Sequence, residues 1–443
     1  MLTAFLRAFR TPDLRRKLLF TVFIIAVFRI GSQLPTPGVS EKAVNSCLNV
    51  TNTSGASAGV LQLVNLFSGG ALLRVAVFAL GIMPYITASI ILQLLAVVIP
   101  RLETLRKEGQ SGQAKITQYT RYLTVGLAIL QSTGIVALAR SGTLQGLTGN
   151  TKCANLIPNQ SIFIIITMVI TLTAGTAVIM WLGELITDRG VGNGISLLIF
   201  TQVIAVIPGQ MYQIFKTKHT FVFGIVLLVA IAIVAFVAFI EQAQRRIPVQ
   251  YAKRMVGRKM YGGSSTYIPL KVNQAGVIPV IFASSLLYIP GLAAQLFGGI
   301  NGLHPKPWAT WVETHLVRGY DAYYMLGFFI LILFFTYFYV SITFNPTEVA
   351  DNMKKYGGFI PGIRPGRPTA EYLQYVLSRL TAPGSVYLGL IALIPMVAIG
   401  LVGASSQFPW GGTSILIAVG VGLDTVKQIE SQLQQRNYEG FLR

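Results

Sequence analysis

Long apolar windows, each separated from the next by a polar segment, follow one another along the chain from residue 18 to residue 426. Ten of them approach the roughly 20 residues that a helix needs to cross a bilayer core of about 30 Å. They lie within Leu18–Leu34, Leu72–Ile99, Tyr122–Ala139, Ile162–Leu182, Val191–Ile207, Phe221–Ile240, Val272–Ile289, Tyr323–Phe344, Val386–Val402 and Thr413–Val426. One further apolar stretch, Gly59–Phe67 (GVLQLVNLF), is too short: nine residues at about 1.5 Å each cover less than half of that thickness. It is expected to dip into the membrane from the outside and return, with Ser68, Gly69 and Gly70 supplying the helix break. The predicted fold is therefore an all-α membrane protein of ten transmembrane helices. Two sets of five follow, and an odd number per half makes any internal duplication inverted in the membrane.

Composition sharpens this reading. Of 443 residues, 53% are hydrophobic and 11% charged, against about 25% charged in an ordinary soluble chain. That balance excludes a soluble enzyme, a disordered chain and a disulfide scaffold. The net charge is nevertheless +20, and its placement is informative. With the N-terminus inside, 26 of the 35 Lys and Arg fall in cytoplasmic segments, seven in outer segments, Arg29 in the first window and Arg74 near the outer end of the second. This asymmetry places both termini in the cytoplasm. The basic N-terminus leads into an apolar stretch that ends in LPTPG, so the first span is read as retained and not as a cleaved leader. The expected organisation is a cytoplasmic segment 1–17, a first half 18–208 containing the stretch 59–67, a second half 209–429 with long cytoplasmic loops 242–271 and 345–379, and a tail 430–443.

None of the 15 Asp and Glu stands in the middle of a span. Glu184, Glu241 and Asp424 stand at cytoplasmic span ends, and His219, His304 and His315 fall in outer loops. The chain has no HExxH, GxSxG or GxxxxGK[ST] pattern. A passive conduit without cofactor or metal, driven by outside machinery, is expected. A secondary transporter of small solutes is the alternative, and the lack of mid-span acids argues against it.

The two long cytoplasmic loops exceed the few residues that connect helices. Loop 242–271 carries Arg245, Arg246, Lys253, Arg254, Arg258, Lys259 and Lys271, and loop 345–379 contains FIPGIRPGRP with Arg364 near the tip of a tight turn. Such surfaces suit an anionic partner, ribosomal RNA or an acidic motor, through steering and bidentate guanidinium contacts. Cys47 and Cys153 both fall in outer segments, where an oxidising compartment would permit a bridge between them.

Several segments carry a specific resemblance: RIGSQLPTPG, NLFSGGALLRVAVFALGIMPYITASIILQLL, DRGVGNGISLLIF, QRRIPVQYAKR, PLKVNQAGVIPVIFASS, FNPTEVADNMKKYGGFIPGIRPG and WGGTSILIAVG. In order and spacing the chain resembles the SecY family, the channel subunits of bacterial protein export. The resemblance implies two pseudosymmetric halves around an hourglass pore, a plug formed by Gly59, Val60, Leu61, Gln62, Leu63, Val64, Asn65, Leu66 and Phe67, and a waist ring of Ile82, Ile86, Ile195, Ile199, Ile281 and Ile417. It implies a lateral gate between the second and seventh spans, with a polar contact among Thr87, Gln93 and Asn273. It also implies docking of a motor or ribosome on Arg364, Lys253, Arg254, Arg258 and Lys259. The partners it implies are SecE, SecG, the ATPase SecA, the translating ribosome and precursor proteins bearing signal sequences, at the bacterial plasma membrane.

Overall fold

The computed structural model describes residues 9, 11–40, 71–72, 74–140, 157–158, 161–217, 220–251, 254–256, 259–261, 265–297, 306–317, 321–402 and 412–440. The helices are α1 (Pro12–Gly31), α2 (Met83–Val98), α3 (Pro100–Lys107), α4 (Gln110–Arg140), α5 (Ile162–Arg189), α6 (Gly194–Thr217) and α7 (Thr220–Gln242). They continue with α8 (Ile278–Phe297), α9 (Pro307–Val312), α10 (Ala322–Thr343), α11 (Pro346–Lys355), α12 (Arg367–Val402) and α13 (Gly412–Gly440). Each of the ten apolar windows overlaps one of these helices. By length and apolar composition, Ile162–Arg189, Ala322–Lys355 and Arg367–Ile394 suffice to cross a membrane, and Met83–Val98 with Pro100–Arg106 qualifies as a pair bent by 105°.

Helix faces turned away from the body are greasy. Phe163, Phe239, Ile162 and Leu228 are each at least 70% exposed, an arrangement that water would not tolerate and lipid requires. Hydroxyls inside the bundle are mostly satisfied by their own helix: Thr124, Thr176 and Thr336 each donate to the carbonyl four residues back.

The window Leu72–Ile99 is not one straight helix. Residues 74–82 are turns, and α2 begins only at Met83, because Gly81 takes a left-handed φ of 57° and Pro84 is suited to a helix's first turn. Irregular backbone at membrane depth must be enclosed by protein. Here Ala71, Leu72, Val75, Ala76, Ala79 and Ile82 are buried, Thr36 N–H and Val77 N–H bond across to Val75 O and Leu34 O, and Phe28 stacks on Phe78 at 5.8 Å.

The long loops are structured rather than irregular. QRRIPVQY alternates outward and inward positions and forms strand β1 (Gln244–Tyr251), with Ile247 and Val249 buried. Strands β2 (Arg254–Val256), β3 (Lys259–Tyr261), β4 (Ser265–Lys271) and β5 (Gly358–Phe359) follow. β1 pairs antiparallel with β4, Ile247 facing Ile268, and with β5 from the other loop, giving the order β4-β1-β5, while β2 and β3 form a hairpin. The two loops thus share one small core of Ile247, Val249, Leu270, Met353, Ile360 and Leu373. Residue 208 lies inside α6, and residues 430–440 continue α13 as helix.

Candidate pore and docking surface

The six isoleucines singled out in the sequence come from four elements: Ile82 caps α2, Ile86 lies in it, Ile195 and Ile199 sit on α6, Ile281 on α8 and Ile417 on α13. Ile82, Ile86, Ile199, Ile281 and Ile417 are buried members of one large hydrophobic core that also holds aromatic side chains, and Ile195 packs against it partly buried. Small residues allow the approach. A Cβ on Gly194 would lie 1.9 Å from Gly183 O, so α5 and the start of α6 meet backbone to backbone.

The expected polar contact among Thr87, Gln93 and Asn273 does not form. Thr87 Oγ1 donates to Met83 O at 2.9 Å, and Gln93 Nε2 donates to Ser89 Oγ at 3.3 Å, both within α2. Asn273 sits in the turn after β4, where its amide donates to the Glu241 carboxylate and to Gly276 O. A short hydroxyl on a helix reaches its own carbonyl more readily than a neighbour, which keeps Thr87 within α2. Glu241 is 8% exposed, and burial raises its pKa above the ordinary value of 4.5, opposed by the Asn273 hydrogen bond and by Lys271.

Contacts that the sequence did not disclose tie the sheet end together. Arg121 grips Glu184 with two bonds of 2.9 and 2.7 Å, joining α4 to α5, and Lys271 Nζ lies 3.2 Å from Asp424 Oδ1. This Glu184 bond holds the Arg121 guanidinium protonated more firmly than usual. Arg106 on α3 donates to Ile342 O at the C-terminal end of α10 (3.0 Å), linking the first half of the chain to the second.

On the same end, Arg364 is exposed in the turn between β5 and α12. Gly362 and Gly366 flank it with φ of 82° and 109°, and Thr369 Oγ1 donates to Arg364 O at 2.9 Å. Of the basic loop residues, Arg254 begins β2 and Lys259 begins β3. Lys253 and Arg258, the stretch Gly59–Phe67, and Cys47 and Cys153 lie outside the described residues.

Greasy outer faces, a sheet platform at one end and one large buried hydrophobic core shared by several helices define a helical multi-span membrane protein. A family model described as SecY matches residues 76–426. The protein translocase subunit SecY of Streptomyces galbus is 66% identical over 451 residues, with both chains covered in full. That of Mycobacterium tuberculosis strain H37Rv is 59% identical over 447 residues, again with full coverage. The chain belongs to the SecY family. Among solved structures, that of a protein conducting channel covers 94% of this chain and 91% of its own, with a TM-score of 0.63 at 18% identity. Sec61 in the canine ribosome-channel complex has the same coverage, with a TM-score of 0.60 at 17% identity. These two share the fold.

Proposed function

We propose that this chain is the pore subunit of a bacterial protein translocase, which passes unfolded polypeptide across the plasma membrane and releases apolar segments sideways into lipid. The observation that carries this reading is that five of the six isoleucines, from four elements, are buried members of one hydrophobic core, with Ile195 packed against it, in a molecule whose outer faces are apolar and exposed. Branched aliphatic side chains seal against any sequence and give way without breaking specific bonds, while an ion gains nothing there to replace its hydration shell. Ten spans enclose the ring, in inverted halves of five with both termini cytoplasmic. Residues 59–67 plug the outer mouth.

Sideways release runs between α2 and α8, which touch where the halves meet. An apolar guest can shift that contact only by its differential affinity for the open state, so the contact must be marginal. The sheet platform with Arg364, Lys253, Arg254, Arg258 and Lys259 docks the driving machinery: the motor SecA, or the ribosome through its RNA. SecE and SecG complete the membrane assembly, and precursor proteins are the cargo. Export from vesicles reconstituted with the chain, its small subunits and the motor tests the reading. Import of an unfolded precursor that depends on ATP and the motor is expected, whereas uptake of small solutes without precursor transport would replace it with a transporter.

A further inference from the structure

Three buried polar side chains sit beside the isoleucine ring without a partner. Gln202 and Ser414 are 0% exposed and Ser285 is 8% exposed. Neither amide atom of Gln202, nor Ser285 Oγ, nor Ser414 Oγ has a hydrogen-bond partner among the described residues. The neighbouring Ser284 shows what a satisfied hydroxyl does here, donating to Ile281 O at 2.9 Å. Leaving several buried polar atoms unpaired is costly, and natural structures keep such groups where something else occupies them.

Their placement is regular. Gln202 lies three residues after Ile199 on α6, Ser285 four after Ile281 on α8, and Ser414 three before Ile417 on α13, so each shares a helix face with its isoleucine. Gly192, just before α6, faces Thr425 of α13, and the adjacent Asp424 pairs with Lys271 of β4, so α6 starts at the sheet end. α7 ends at the sheet, where α8 begins, so α6 and α8 both run away from the sheet. α12 starts from the sheet end and α13 returns to it. Two contacts fix the levels: Val277 Cγ2 stands 3.0 Å from a Cβ on Gly420, and Thr425 Cγ2 stands 3.7 Å from one on Gly192. Counting about 1.5 Å per residue from these contacts puts Ile199, Ile281 and Ile417 within about 2 Å of one level. The same count puts Gln202, Ser285 and Ser414 about 4.5–6 Å further from the sheet, all on the same side of the ring.

We propose that Gln202, Ser285 and Ser414 form a polar collar one helical turn beyond the ring, which hydrogen-bonds the backbone peptide groups of polypeptide in transit. This rests on the pore reading above. An aliphatic ring strips a passing chain of water and leaves each peptide group with one unpaired donor and one unpaired acceptor. A glutamine amide and a serine hydroxyl each offer both functions, so the collar restores hydrogen bonds at the first turn past the constriction whatever the cargo's sequence. Since every peptide group carries the same pair, passage need not be sequence-specific.

The test uses the reconstituted translocase with Cys47→Ala and Cys153→Ala and a precursor arrested mid-passage, its single cysteine stepped along the sequence. Ile281→Cys and Ile417→Cys report the ring, and Ser285→Cys and Ser414→Cys the collar. Disulfide crosslinks are expected from both levels, with the collar maximum displaced by about two precursor residues at about 3.3 Å per extended residue. Ring crosslinks without collar crosslinks overturn the collar and leave the pore standing. Absence of ring crosslinks overturns the pore reading itself. In a second arm, Gln202→Leu/Ser285→Ala/Ser414→Ala is expected to slow export about fivefold with resting ion leak unchanged, and Gln202→Asn/Ser285→Thr/Ser414→Thr to restore most of the rate. Export by the apolar triple variant at the full rate overturns the proposal.

Discussion

The side-chain amide of Asn273, in the turn before α8, donates to the carboxylate of Glu241, in the last turn of α7, and so buckles the two ends of loop 242–271 together beneath the sheet. The carboxyl is buried, and desolvation raises its pKa in the folded state. A raised pKa means that the folded protein holds the proton more tightly than the unfolded chain. The stabilisation from this group is complete below the ordinary value of 4.5 and is lost as pH climbs through the folded value. Glu241→Gln should remove that component. Thermal unfolding in detergent from pH 4 to 8 should show the wild type losing stability relative to the variant as pH rises, and a constant difference across the range would show that Glu241 does not titrate differently on folding.

Asn273→Ala leaves the same buried carboxylate without its donor. A loss of about 1–3 kcal/mol is expected near neutrality, where the carboxylate most needs the bond. Equal stability of Asn273→Ala and wild type would show that water substitutes for the amide.

These two residues also mark where sequence reading stops. Each apolar window overlaps a helix, since burial in lipid and burial in protein both demand apolar side chains, whereas the short polar helices α3 and α11 carry no such signal. Apolar patterning does not reveal that residues 74–82 are enclosed turn rather than helix, because such backbone is as apolar as a span once protein covers it. The alternation in QRRIPVQY marks a strand, although the basic charge of the same segment suits an exposed docking loop equally well. Asn273 was assigned to a gate by resemblance, and only the fold shows it facing Glu241. Gln202 was recoverable, since Ile195, Ile199 and Gln202 share one helical face, but an unpaired amide is a property of packing that no spacing reveals.

Gly175 on α5 presses against the enclosed turns, and a Cβ there would stand 2.1 Å from Val77 O. The obstacle is backbone, which cannot swing aside. Gly175→Val should cost about 3 kcal/mol or more and sharply lower the amount of folded protein recovered in detergent, whereas Gly126→Ala, with open space around its Cβ, should behave as wild type. Normal yield and thermal stability of Gly175→Val would place α5 further from residues 74–82 than described.

Arg364 projects from a turn held by two left-handed glycines, so its charge can be reversed with little effect on the shared loop core. Arg364→Glu should reduce motor-driven export at least tenfold, as expected when a guanidinium–carboxylate contact becomes a like-charge contact, while thermal stability stays within about 0.5 kcal/mol. Export at wild-type rate would remove Arg364 from the docking surface.

The account depends on the isoleucine cluster being the seal of a pore, and resting ion conductance of reconstituted vesicles measures that seal directly. Ile82→Asn combined with Ile417→Asn should raise the leak in the absence of any precursor, because both side chains are 1% exposed within the cluster. The same change at Ile170, which is 62% exposed on α5, should leave the leak at its wild-type level. An unaltered leak in the double variant, or an equal rise from Ile170→Asn, would contradict a sealed channel at this position.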